Sequence, residues 1–473
     1  MKAIMVGGTT SSAGKSLLVT ALCRILAKRG YEVAPFKAQN MSLNSFVTKK
    51  GKEIAIAQAM QAFAAGIEPD ERMNPILLKP KGNFVSQLVV LGEAIGDVDS
   101  REYYKMVPEL RKVVEKAYEE LAEDYEIVVI EGAGGMAEIN LYNRDLANIH
   151  VARYARPSIV IVGDIDRGGV FASLYGTYKL LPEDIRKLVV GFVINRLRGY
   201  KEFLRDGIEK IEELCNVPVL GVIPFLESEF PSEDSLNIEE WKGSGLIGII
   251  RIPRISNFTD FEPLRKIASF VGLKENPECE ILIIPGSKDT IADLKILKSM
   301  PIYEHIMKIA GKKLIIGICG GYQMLGKELI DFGVEHSVER VKGLGLLEAE
   351  TRFEKYKKRT IQVSKKVTGD AEIIKSIKGE TVWGYEIHKG ITSSKRPIFE
   401  DDGCQSEDGM CWGTYLHGLF WNENLLKAVE KYLGVKIEFK NQFDFLAEEV
   451  EKNLNLEPLL SGISEAENLK RLS

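Results

Sequence analysis

Short, uninterrupted Val/Ile-rich runs spaced by long amphipathic stretches constrain this chain more than any other feature. Over the first 225 residues the runs are KAIMVGG, YEVAPFK, YEIVVIEG, SIVIVGD, LVVGFVIN and VPVLGVIPF. Apolar runs without polar alternation are what parallel strands need when helices cover both faces of their sheet. The stretches between them, such as KSLLVTALCRILAKRG and REYYKMVPELRKVVEKAYEELAEDYE, have helical periodicity. The alternation predicts a doubly wound α/β domain. A second series, GLIGIIRIP, ECEILIIPG and KKLIIGICGG, begins after an acidic, Pro/Ser-containing stretch that reads as a linker. Beyond Gly343 the pattern turns strand-rich, and from about Asn422 it reads as helices. The expected division is 1–226, a linker at 227–244, a second α/β domain at 245–435 and a helical tail at 436–473.

With 473 residues, 45% hydrophobic and 28% charged, the chain can bury several cores. The net charge of −5 argues against a general nucleic-acid binder. Six cysteines without C-x-x-C spacing do not make a secreted disulfide framework. The N-terminus does not read as a signal peptide, and no apolar run approaches the ~20 residues a membrane helix requires. A cytoplasmic location without membrane contact is the expectation; the oligomeric state stays open.

Two motifs carry chemistry. Residues 8–16, Gly-Thr-Thr-Ser-Ser-Ala-Gly-Lys-Ser, join the first strand to the first helix. A glycine-rich turn at a helix N-terminus binds phosphate oxygens through backbone N–H groups and the positive helix end. Thr10 and Gly14 belong to this loop, Lys15 reaches the outer phosphates, and Ser16 is placed for Mg²⁺. Thr9 occupies the position of the usual first glycine, and Gly8 stands one residue early. Glu131, at the end of YEIVVIEG, is a second candidate for the metal. Asp164, Asp166 and Arg167, at the end of SIVIVGD, lie where ligands of such sheets bind.

The other motif is Gly-Ile-Cys-Gly-Gly at 317–321, between a strand and a helix. This is a nucleophile elbow with cysteine as nucleophile. Cys319 projects at a helix start, and the Gly320 N–H is one oxyanion donor. The loop IIPGSKDT offers the other at Gly286 or Ser287. The base is a histidine; His388 and His417 both end an apolar strand that follows Trp-Gly, and residue chemistry alone does not choose between them. His305 and His336 read as surface residues. Cys23 faces the apolar side of the first helix, and Cys404 and Cys411 read as structural.

Taken together, GGTTSSAGKS, APFKAQNMSLNSFVT, MNPILLKPKGN, VVIEGAGGMAEINL, VGDIDRGGVFASLYGT, GFVINRLRG, PSEDSL, GICGGYQMLG, KGLGLL, GYEIHKG and GTYLHGLF resemble the cobyric acid synthases over nearly the whole chain. The resemblance implies a dethiobiotin-synthetase-like ATP domain followed by a class I glutamine amidotransferase domain. It implies ATP- and Mg²⁺-dependent amidation of the b, d, e and g carboxylates of adenosylcobyrinate a,c-diamide, with ammonia from glutamine. It makes Cys319 the nucleophile and His417 its base, and puts Lys15, Ser16 and Glu131 on ATP and Mg²⁺. Gln39, Asn40 and Asn44, in the stretch Lys37–Asn44, would face the carboxylate substrate, and Asp164, Asp166 and Arg167 would line the junction with phosphate. One departure from class I glutaminases stands out. The Glu two residues after the base is Leu419 here, so a Cys–His dyad is expected. The rival readings are an a,c-diamide synthase or other amidotransferase of the same superfamily, and a phosphate-loop switch ATPase, which has no use for an elbow cysteine.

Overall fold

A computed structural model describes residues 2–82, 84–226, 241, 243–335, 337–354, 358–437 and 442–461. The expected acidic linker, apart from its last residues, falls outside this set, with its PSEDSL motif. So do His336 and the end of the tail. The chain forms two compact units, the first from residues 2–41, 54–226 and 442–461, the second from 42–53 and 241–437.

The first unit is built on six parallel strands: β1 (Lys2–Gly8), β2 (Val33–Phe36), β7 (Ile127–Glu131), β8 (Ser158–Asp164), β9 (Val189–Leu197) and β10 (Val219–Pro224), in the order β10-β9-β8-β1-β7-β2. The central strands are buried almost throughout, as their unbroken apolar runs require. Helix α1 (Lys15–Lys28) leaves β1 and buries Leu18, Leu22, Cys23 and Leu26. Helix α2 (Ile56–Ala64) follows, and helix α3 (Ser100–Asp124) starts with a capping box between Asp99 and Glu102. A second sheet was not foreseen. It has the order β3-β4-β5-β6, with β3 (Gln39–Met41) parallel to β4 (Ile76–Gly82), and β5 (Val85–Val90) and β6 (Glu93–Asp99) continuing it antiparallel.

The second unit repeats the theme with β11 (Ile247–Ile250), β12 (Ala268–Val271), β13 (Ile281–Ile284), β14 (Leu314–Ile318), β17 (Cys404–Gln405) and β18 (Cys411–Thr414), in the order β12-β11-β13-β14-β18-β17. Only the β17–β18 pair is antiparallel. A hairpin of β15 (Arg359–Lys366) and β16 (Thr381–His388) stands apart from this sheet. The α/β expectation for both halves holds.

Two segments cross the boundaries drawn from sequence. Within the expected tail, helix Gln442–Asn453 packs on α1 of the first unit. Leu446, Ala447 and Val450 join the cluster of Leu18 and Leu22, and Arg24 pairs with Asp444 at 2.9 Å. Gly221 of β10 meets this segment so closely that a Cβ would lie 2.3 Å from the Asn453 carbonyl oxygen. Residues 42–53 pack within the second unit. The Phe46 ring sits edge-on to Tyr385, the Val47 carbonyl accepts from Gln362 Nε2 at 2.7 Å, and Glu53 pairs with Lys358. Trp241, read as part of the linker, is buried against Phe270.

Candidate active sites in the two units

In the first unit the reactive groups collect at the carboxyl ends of β1, β7 and β8. Gly14 has φ of 100°, and a Cβ there would meet the Asn195 amide nitrogen at 2.0 Å. The position therefore requires glycine on both counts. Asn195 Nδ2 donates to the Ala13 carbonyl at 3.0 Å, which ties the loop to β9. The Lys15 ammonium is buried and donates to the carbonyls of Thr10 (2.8 Å), Ser11 (2.9 Å) and Gly134 (2.9 Å). The loop thus curls around its lysine. At the helix start the Gly14 N-cap has no side-chain cap, which suits an end that binds anions.

Glu131 is fully buried, and both its oxygens are engaged. Oε1 accepts from Ser16 Oγ (2.8 Å) and Lys37 Nζ (2.9 Å); Oε2 accepts from Gln61 and Gln58 on α2. Asn40 Nδ2 extends this network to Gln58 at 2.9 Å. A buried carboxylate survives only with such partners. One hydroxyl and one carboxylate side by side match what Mg²⁺ takes from a phosphate-loop protein, the rest of its shell being phosphate and water. No cluster of three or more His, Cys, Asp or Glu suited to a metal occurs among the described residues, which agrees with so sparse a donor set. Asn148 clamps the following loop, exchanging hydrogen bonds with Ala133 at 2.7 and 3.1 Å.

The other candidates of this unit are placed differently. Asp164 accepts from Arg196 at 2.9 Å and lies 3.8 Å from Arg167, while Asp166 pairs with Arg198 at 2.8 Å. These groups form an ion-pair cluster beside β1. Gln39 accepts from the Tyr103 hydroxyl. Asn44 is the exception among the residues of its motif. It belongs to the second unit, where its buried side-chain amide has no hydrogen-bond partner among the described residues.

In the second unit, Cys319 sits at the end of β14, before helix α4 (Gly320–Leu325), with φ 51° and ψ −106°. This is strained for a residue with a Cβ and costs about 1–3 kcal/mol. The turn tolerates no side chain behind it. A Cβ at Gly321 would lie 1.9 Å from the Ile284 carbonyl oxygen, and one at Gly320 would lie 2.8 Å from the Ser287 nitrogen. The second contact also places the Ser287 nitrogen beside Gly320. Gly286 stands against the His417 ring, its Cβ position 3.4 Å from Cε1.

Of the two histidines, His417 is the one near enough to Cys319 for the thiol's charge to act on its pKa, while the Cys319 thiol itself donates to the Ile387 carbonyl oxygen at 3.5 Å. His388 is turned onto Tyr415, stacked at 3.6 Å, with Nδ1 2.7 Å from the Gly390 carbonyl oxygen. His305 lies half-buried on helix Pro301–Ile309, and Cys23, Cys404 and Cys411 are buried free thiols.

Sequence reasoning missed the partner of His417. Its Nδ1 lies 2.6 Å from Asp260 Oδ2, and Asp260 Oδ1 accepts from the Gly418 N–H at 2.9 Å. Asp260 sits on the buried 3₁₀ turn Phe258–Leu264, more than a hundred residues before the histidine. Burial works against the imidazolium, but the charges of Asp260 and Cys319 outweigh it and push the His417 pKa up to about 10. The Tyr385 ring stacks on His417 at 5.5 Å, and the two backbones are bridged by hydrogen bonds of 2.8 and 3.1 Å. The Phe46 ring lies 5.1 Å from that of Tyr385, edge-on to it. Asn257 holds the Ser45 backbone (3.3 and 3.4 Å) and lies 3.5 Å from the Tyr385 hydroxyl. An acid in the apolar stretch NFTDFEPL was the only signal for Asp260.

Two families match this chain. A CobB/CobQ-like glutamine amidotransferase domain matches residues 246–425, and a CobQ/CobB/MinD/ParA nucleotide binding domain matches residues 4–237. A probable cobyric acid synthase from Archaeoglobus fulgidus is 69% identical, covering 96% of this chain and 99% of the relative. Those from Methanosarcina acetivorans and Methanosarcina mazei are 51% and 50% identical, over 98% and 97% of this chain and 99% and 98% of the relatives.

Proposed function

This chain belongs to the cobyric acid synthase family, and from that premise we propose that it amidates the b, d, e and g carboxylates of adenosylcobyrinate a,c-diamide. Each turnover converts a carboxylate, ATP, glutamine and water to a carboxamide, ADP, phosphate and glutamate. The observation that carries the reading is the presence, on one chain, of a phosphate loop closed around Lys15 and a cysteine elbow backed by His417 and Asp260.

At the elbow, the Cys319 thiolate attacks the amide carbon of glutamine. The resulting oxyanion takes hydrogen bonds from the Gly320 N–H and from the Gly286–Ser287 stretch, where Ser287 N lies beside Gly320. His417 gives its Nε2 proton to the departing ammonia, then takes one from the water that hydrolyses the thioester. Asp260 holds the ring by Nδ1 and supports the imidazolium, the task that the Glu replaced by Leu419 performs in class I glutaminases.

In the first unit, Lys15 and the α1 N-terminus bind the ATP phosphates. The acceptor carboxylate attacks the γ-phosphorus, giving an acyl phosphate and ADP; ammonia then displaces phosphate. Ser16 and Glu131 are the residues that would hold Mg²⁺, which supplies neutralising charge to the phosphates when bound. Lys37 places a second cation at the same carboxylate. Gln39 and Asn40 face the acceptor, and Asp164, Asp166 and Arg167 border the phosphate end.

Mass spectrometry of adenosylcobyrinate a,c-diamide incubated with enzyme, ATP, Mg²⁺ and glutamine tests this. Four successive carboxylate-to-amide conversions are expected. Glutamine hydrolysis with an unchanged corrinoid would keep the amidotransferase chemistry and overturn the acceptor.

A further inference from the structure

The first unit holds a cavity that the phosphate loop alone does not explain. It measures about 570 Å³ and lies between the unforeseen sheet β3–β6, the first turn of α3 and the loop after Glu131. Its walls include Ser11 and Gly134, two of the three residues whose carbonyls hold Lys15. A ligand lodged here therefore reaches the phosphate loop at one end.

Another part of the lining is apolar and uncovered. Phe84 and Met41 line the cavity yet are 92% and 58% exposed. Burying such side chains against a ligand is favourable in proportion to the area covered, and large apolar groups concentrated at one cavity mouth mark a binding site. Also in the lining, Tyr103 directs its hydroxyl to Gln39 Oε1, which leaves the Gln39 amide nitrogen as the donor. Arg144 lies exposed over the Tyr104 ring at 4.7 Å and supplies a cation. Of the three carboxylates of the lining, Asp99 and Asp145 are engaged by backbone N–H groups at the starts of helices, and Glu138 stands beside Gly135, its Oε1 2.9 Å from where a Cβ of that glycine would lie. The site thus offers an apolar rim, amide and guanidinium donors, and a wall shared with the phosphate loop.

We propose that this cavity seats one edge of the corrin ring, with the ring's methyl-bearing rim against Phe84 and Met41 and a peripheral carboxylate directed past Gln39 to Ser11 and Gly134. The inference rests on the acceptor proposed above. The cavity is smaller than a whole corrinoid, so one edge is engaged at a time and the rest of the macrocycle lies outside the mouth. The β3–β6 sheet is then the element that sets acceptor class, while the loop and α1 serve ATP.

The test is equilibrium binding of adenosylcobyrinate a,c-diamide to the full chain, followed by the visible absorbance of the corrin. ADP binding on the same preparations reports that each variant is folded. The double variant Phe84→Ala, Met41→Ala should raise the corrinoid Kd about tenfold or more, Arg144→Gln should raise it severalfold, and Phe84→Tyr should bind like the parent. If the parent binds and amidates the corrinoid and the double variant binds it equally well, the cavity assignment is wrong and the proposed function stands. If the parent itself binds none, the acceptor class falls, and this inference with it.

Discussion

The two units position their chemistry in different ways. In the first, Lys15, Ser16 and Glu131 all come from the carboxyl ends of neighbouring strands β1 and β7 or the turn that follows. One parallel sheet places them, and local sequence dictates each. In the second, the sheet places only Cys319. His417 follows β18, where it is bridged by its backbone to β16, and Asp260 comes from a 3₁₀ turn elsewhere in the chain. The first takes its reactive groups from adjacent strand ends, with Asn195, Lys37, Gln58 and Gln61 holding them from outside the motif. The second depends on side chains such as Tyr385 and Phe46 that touch no reacting atom.

This contrast can be broken by substitution. Lys15→Ala should abolish amidation with either glutamine or free ammonia, a loss of about 10³-fold or more, because acceptor activation fails whatever the nitrogen source. Product formation from ammonia by that variant would sink the phosphate-loop assignment. Cys319→Ala should lose glutamine-dependent amidation by a similar factor and keep the ammonia-dependent reaction. Loss of both, in a folded protein, would mean that the centres are not separable. Asp260→Asn should lower glutamine turnover by roughly 10²-fold, since the ring loses the charge that supports the imidazolium. The sign in pH follows. Asp260 raises the His417 pKa, so its removal should move the alkaline limb of glutaminase kcat/KM to lower pH. The smallest effect is expected at Phe46→Ala, where Tyr385 loses its support; a fall in glutaminase kcat of about threefold, with Phe46→Tyr near the parent, would show that packing around Tyr385 tunes His417. Unchanged glutaminase kinetics in the alanine variant would remove Phe46 from that role.

The same contrast decides how much was legible. The strands, α1 and α3 follow from apolar runs and helical periodicity. The phosphate loop and the elbow could be read because their geometry is carried by adjacent residues. Glu131 was legible as a strand-end acid, although its partners Gln58 and Gln61 were not, since α2 delivers them from a distant stretch. Asp260 could not be found. Its link to His417 depends on tertiary packing, and a buried acid in an apolar segment has the same composition whether it serves catalysis or a turn. The stretch Lys37–Asn44 shows the other limit. As a contiguous motif it reads as one loop, but the chain passes from one unit to the other between Met41 and Ser42, and no local pattern marks that point.

The most direct test of the account is the pH dependence of Cys319 alkylation by iodoacetamide in the parent and in Asp260→Asn, with Cys319→Ala subtracting other thiols. If Asp260 completes the centre, it favours the His417 imidazolium, whose pKa is pushed up to about 10, and a neighbouring imidazolium favours the reactive thiolate. In the variant the imidazolium is less favoured, so alkylation should set in at a higher pH than in the parent. Superimposable profiles for the two proteins would contradict the claim and return the site to a dyad.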